Sequence, residues 1–172
     1  MIRTNHSSFP VAAITHPGMS GKNNEDRFAV ISHILSQNAP TPSVFAVLSD
    51  GIGGHRAGEI AAELAVDHIS NTVAESNGRD PLTTLEEAVQ SASEAIAHHS
   101  ALDDERHGMG ATCACVWVIG EKLYIAFVGD SRIYLLRGGK IHQLTTDHTW
   151  VQEAVEKKII KPEDAREHPN VH

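Results

Sequence analysis

Between residues 111 and 145 the sequence reads ATCACVWVIGEKLYIAFVGDSRIYLLRGGKIHQLT, four apolar runs parted by very short polar breaks. Breaks as short as GEK and RGGK join only strands that run in opposite directions. A parallel neighbour would need a crossover of a dozen or more residues. The spacing therefore predicts antiparallel strands over 111–119, 122–129, 132–137 and 140–145. This run of hairpins commits the second half of the chain to sheet.

The first half reads differently. Apolar runs at 11–18, 27–32 and 44–50 predict three strands. From residue 56 to about 74, Ile60, Leu64, Ala65, Ile69 and Val73 recur at helical spacing. Asp80 then offers an N-cap and Pro81 an N1 residue to a second helix that runs to about Ser100. A short helix over 149–158 and a helical turn opened by Lys161 and Pro162 end the reading. Strands, two helices, then strands again predict an α/β (α+β) chain with mostly antiparallel sheets. The 172 residues suffice for one domain with a sizeable core.

Composition excludes several functions. The net charge of −8 gives no electrostatic footprint for nucleic acid, and it repels phosphorylated ligands unless cations intervene. No apolar run is long enough to span a membrane, and residues 1–18 lack the apolar stretch of a secretory signal. Cys113 and Cys115, two apart on one strand, point to the same face. They are too few for a metal site and are expected to be buried, reduced thiols in a cytoplasmic protein. The twelve histidines are scattered, as surface and helix histidines are. Trp117, Trp150 and Met109 are expected in the core or at an interface, and Thr112 in packing or hydrogen bonding.

The stretch LSDGIGGHRAGE, residues 48–59, leaves an apolar run, presents Asp50 and turns on glycines into a helix. Three readings compete. A phosphate-cradling loop lacks the Gly-Lys-Ser/Thr of one form, and Arg56 stands where the other form needs glycine. A structural turn would use Asp50 as an exposed cap. A divalent-metal site would use the Asp50 carboxylate and the Gly51 carbonyl as hard oxygen ligands, with glycine allowing close approach of the backbone. Further acids at strand ends, Glu25 and Asp26 in GKNNEDRF and Asp130 in FVGDSRIY, tilt the balance towards the metal.

NNEDRF, LSDGIGGHRAGE, GMGATCACVWV, YIAFVGDSRIYLLRGGKIHQLTTDHT and VEKKIIKPEDAREHP follow one another here. In this order and spacing they resemble the bacterial PPM family of metal-dependent serine/threonine protein phosphatases, from about Ala12 onward. The resemblance implies a four-layer α-β-β-α sandwich, with residues 11–172 as the phosphatase domain and 1–10 as an extension. It implies two or three Mn²⁺ or Mg²⁺ ions in a cleft at the sandwich edge. Asp50 matches the acid that bridges the metals, and Gly51 the carbonyl ligand. Glu25 and Asp26 match acids that hold metal-bound waters, and Asp130 an acid of a further metal. His55 matches a histidine linked to substrate handling or proton transfer. The implied reaction is hydrolysis of phosphoserine and phosphothreonine in proteins by a metal-bound hydroxide. The implied partners are substrates of a serine/threonine kinase, with neither nucleic acid nor membrane involved.

Two departures stand out. The family's phosphate-gripping arginine is replaced by Gly21, with Lys22 beside it. Lys22 can supply a point charge but not a bidentate fork. The chain also ends at EHPNVH, before the family's two C-terminal metal acids. It is therefore expected to be a fragment of the domain ending within the flap segment. The alternative to an active phosphatase is a catalytically incomplete, PPM-like binding module.

Overall fold

The computed structural model describes residues 1–19, 23–36, 40–53 and 57–165. Its largest element is an antiparallel sheet in the order β1 (Ile2–Arg3), β2 (Asp26–Ile34), β3 (Pro42–Ile52), β5 (Cys113–Ile119), β6 (Lys122–Val128). A two-residue strand, β4 (Gly110–Ala111), pairs with the end of β3. Helices α1 (Ala57–Glu75) and α2 (Pro81–Ala101) link β3 to β4. A hairpin of β7 (Tyr134–Arg137) and β8 (Lys140–Gln143) forms a separate two-stranded sheet. Short helices α3 (Trp150–Glu156) and α4 (Pro162–Ala165) follow.

The core forms where the period-two side of the sheet meets the helices. Phe45 and Val47 of β3 and Cys113, Cys115 and Trp117 of β5 are buried against Val66, Ile69 and Val73 of α1 and Leu85, Ala88 and Ala92 of α2. Small residues Ala61, Ala62 and Ala65 on the buried face of α1 let it lie close to its neighbours. The Phe45 and Trp117 rings meet edge to face, 6.1 Å apart, and the Trp117 indole N–H donates to Ser43 Oγ at 2.8 Å. Asp80 caps α2, its carboxylate accepting from the Thr83 N–H, with Pro81 at the first turn as expected.

Both cysteines are free and buried on the same face. The hydrogen bond its S–H donates to Cys113, then burial, pushes the Cys115 thiol up, which keeps it protonated and inert. Trp117 and Met109 are buried, whereas Trp150 is 54% exposed and lies outside the core.

The structure corrects several boundaries. The strand expected at 11–18 does not form, because no described strand pairs with it and an apolar run becomes strand only where a partner takes its backbone groups. Residues 1–10, set apart as an extension, instead supply β1, in register with Ile34 and His33. Strand 140–145 stops at Gln143, where the Leu144 N–H turns to the Ile133 carbonyl. Of the four expected layers, the described residues form a helical layer and one large sheet. The second sheet is represented by the β7–β8 hairpin.

Removing the Trp117 ring should leave a cavity beneath both helices. Trp117→Ala is expected to cost about 3–5 kcal/mol in urea unfolding.

Candidate metal centre

The register of β2 and β3 places Asp26 directly opposite Asp50 at one end of the sheet. Cross-strand partners on one face stand roughly 4.5–5.5 Å apart at Cβ, so two carboxylates meet there. Glu25, one residue earlier, is drawn in by its own backbone, its carbonyl accepting from the Gly51 N–H at 3.3 Å. Asp130 follows β6 on the Gly129–Ile133 turn, near enough for its charge to act on Asp50. Partial burial raises the Asp50 pKa above the usual 3.8, and the charges of Asp26, Asp130 and Glu25 raise it further. The structure thus brings Asp50, Asp26, Glu25 and Asp130 together, with Gly51 beside them. Lys22 and His55 lie outside the described residues.

Two glycines set the close approach at this end. A Cβ on Gly51 would collide with the Gly58 carbonyl. A Cβ on Gly58 would stand 2.8 Å from the Glu25 carboxyl carbon and 2.8 Å from the Gly51 carbonyl oxygen. The first turn of α1 is therefore pressed against the acid loop and the Gly51 carbonyl, with no room for a side chain.

Arg27 fastens the same corner. Its guanidinium donates to the carbonyls of Asn24 (3.0 Å) and Asp26 (2.8 Å), which flank Glu25, and pairs with the Glu59 carboxylate on α1. A second clasp sits behind Asp130. Arg132 Nε donates to both oxygens of Asp147, at 2.9 and 3.1 Å, and the Gly129 N–H donates to His148 Nδ1 at 3.3 Å. The His148 ring stacks on Phe127, centroids 5.0 Å apart.

Glu59, Gly58 and Arg27 were not singled out as functional from the sequence, although all three stand inside quoted motifs. Their roles depend on which loop α1 meets. Arg132 and Asp147 likewise sit fifteen positions apart and pair only through the turn between them.

The donor set fits a hard divalent cation. It consists of carboxylates and one carbonyl, in a cradle that excludes side chains, and it holds negative charge that a cation would neutralise. Among the described residues no three His, Cys, Asp or Glu side chains stand close enough to cage an ion by themselves. Magnesium-like ions retain several waters and take only one or two carboxylates directly, so acids spaced more loosely than a cage suit them.

The raised Asp50 pKa has a defined consequence without metal. The folded state holds that proton more tightly than the unfolded chain does. Stability from this group is therefore full below pH 3.8 and is lost as pH rises through the folded-state value. In chelator at pH 7, Asp50→Asn should raise the melting midpoint by a few degrees. Added Mn²⁺ should then stabilise the parent and not this variant, as differential scanning fluorimetry would read. Gly58→Ala should displace Glu25 and weaken Mn²⁺ binding by at least about tenfold in calorimetric titration.

The model of the family described as protein phosphatase 2C matches residues 16–163. The serine/threonine protein phosphatase PstP of Mycobacterium tuberculosis is 35% identical over 158 residues, covering 92% of this chain and 29% of that protein. The protein phosphatase PhpP of Streptococcus pneumoniae is 32% identical over 169 residues, covering 92% of this chain and 63% of that protein. The chain thus spans less than two thirds of these relatives' length. The solved structure of the serine/threonine phosphatase Stp1 from Staphylococcus aureus superposes with a TM-score of 0.79 at 29% identity, covering 99% of this chain and 67% of that one. The catalytic domain of PstP in complex with two manganese ions superposes with a TM-score of 0.65 at 34% identity, covering 81% and 64%. The family model spans most of the chain and these structures share its fold, and the chain belongs to the protein phosphatase 2C family.

Proposed function

We propose that this chain carries the metal-binding half of a phosphatase site that hydrolyses phosphoserine and phosphothreonine in proteins, dependent on Mn²⁺ or Mg²⁺. The observation that carries the reading is the placement of Asp26 opposite Asp50, with Glu25 and the Asp130 turn at the same end of the sheet, in an acidic protein. Such a site holds a dianionic phosphoryl group only by way of cations. The manganese complex of the related PstP domain supports the same choice of ion.

The roles follow from position. Asp50 and the Gly51 carbonyl would hold the cation, because they lie at the end of the rigid, centrally placed β3. Glu25, just before β2, and Asp26, its first residue, would orient water around it. Asp130, on a separate turn, holds a further ion. Bound manganese or magnesium supplies positive charge to the phosphate oxygens and acidity to water at neutral pH. His55 is the proposed proton-transfer residue and Lys22 the proposed phosphate contact, on the strength of sequence alone. The buried thiols take no part. The substrates are phosphorylated proteins made by a serine/threonine kinase, and the reduced cysteines fit a cytoplasmic setting. Among the described residues no helix is long and apolar enough to cross a membrane.

A second reading has its own support. The Gly21–Lys22 pair, standing where the family carries its phosphate-gripping arginine, favours a module that binds phosphoproteins without turnover. Hydrolysis of a phosphothreonine peptide by this chain separates the two. The phosphatase reading expects phosphate release with Mn²⁺, abolished by chelator and reduced more than about a hundredfold in Asp50→Ala, beyond what outer-shell partners cost. Peptide binding with no release at any metal concentration would establish the binding module instead.

A further inference from the structure

The pairing of β3 with β4 and β5 runs in one register, Leu48 with Ala114 and Gly51 with Ala111. Asp50 therefore stands opposite Thr112, in the gap between β4 and β5. Opposed residues in an antiparallel sheet alternate between pairs that exchange two backbone N–H···O=C bonds and pairs that exchange none, and the bond between Thr112 and Asp50 marks this pair as one of the former. Only one of the two is regular here. The Thr112 N–H donates to the Asp50 carbonyl at 2.8 Å. The Asp50 N–H donates instead to Thr112 Oγ1 at 3.0 Å, and the Thr112 carbonyl accepts from the buried Ser49 hydroxyl at 2.7 Å.

The same Oγ1 reaches further. It lies 2.7 Å from the hydroxyl oxygen of Ser131, the residue after Asp130. One hydroxyl can accept from the Asp50 N–H and still bond to Ser131, since it carries two lone pairs and a proton. The turn that holds Asp130 is also packed onto Thr112. Gly129, at φ +96°, leaves room for the threonine methyl, and a Cβ there would stand 2.6 Å from it. Thr112 is only half-buried and is no part of the core between sheet and helices. Its contacts run to the two acid-bearing segments.

We propose that Thr112 is a positioning residue that sets Asp50 and Asp130 relative to each other, its hydroxyl replacing a ladder carbonyl behind Asp50 and tying the same oxygen to the Asp130 turn. The proposal rests on reading those two acids as cation ligands. With a carbonyl in that place the ladder would close regularly, and the Asp130 turn would lose its link to β3. Serine preserves the hydroxyl. Valine preserves the shape and deletes it.

Two measurements on the full chain test this. The first is Mn²⁺ affinity by calorimetric titration for the parent, Thr112→Val, Thr112→Ser and Ser131→Ala. The second is hydrogen exchange of the Asp50 amide in metal-free protein, with the melting midpoint recorded for each. Thr112→Val is expected to weaken Mn²⁺ binding roughly tenfold and to speed Asp50 exchange, with Thr112→Ser near the parent. Ser131→Ala should weaken binding while Asp50 exchange stays slow. Binding within twofold of the parent in Thr112→Val would overturn the proposal. So would equal losses in the serine and valine variants that track their melting midpoints. If the parent binds no Mn²⁺, the metal reading itself fails. Asp50 exchange then decides the positioning role alone, unchanged protection in Thr112→Val refuting it and lost protection upholding it.

Discussion

The juxtaposition of Asp26 with Asp50 across β2 and β3 is the constraint on which the site depends. Like charges directly opposed on a sheet are unfavourable, so something else must hold the register. The same register sets Ala29 beside Val47 and Ile31 beside Phe45, and these side chains pack into the core beneath the helices. A slip by one residue would turn Phe45 and Val47 out to water and bring the opposite face inward. Burial of that face outweighs the repulsion at the strand ends. The acids are neighbours because the core leaves them no alternative.

The helical layer adds the second half of the arrangement. Helix α1 lies close because its inward face is largely alanine. At its start that closeness becomes a contact between Gly58 and the Gly51 carbonyl. Arg27 then ties the carbonyls on either side of Glu25 to Glu59 on the helix. Packing, backbone geometry and one guanidinium converge on the same few atoms. Each of the acids thus sits on an element fixed by contacts far from the charge itself, which is what a preorganised site for a hydrated cation needs.

Much of this was legible in the sequence. The short hairpin turns gave antiparallel pairing, and β5, β6, α1 and α2 fall within a residue or two of their expected ranges, apart from the break at Thr112. Asp50, Glu25, Asp26 and Asp130 were legible as candidates because acids at strand ends stand out against apolar runs, and Gly51 because it follows one of them. The strand expected at 11–18 failed because alternation describes a single segment, whereas a strand requires a partner. The role of Ile2–Arg3 as an edge strand was hidden for the same reason, since two residues carry no period. Thr112 was rightly read as a hydrogen-bonding residue, but its two partners could not be named.

By itself the sequence determined most of the elements and the family, because these are written in local periodicity, turn residues and motif spacing. Only the tertiary structure decided which acids meet. The pairing of Asp26 with Asp50 follows from a register fixed by many apolar contacts at once. The contact of Gly58 with Gly51 follows from how closely a helix can approach a sheet. The exchange of a backbone acceptor for the Thr112 hydroxyl follows from both. Each of these is a sum over residues distant in the chain, and no local reading of the sequence contains such a sum.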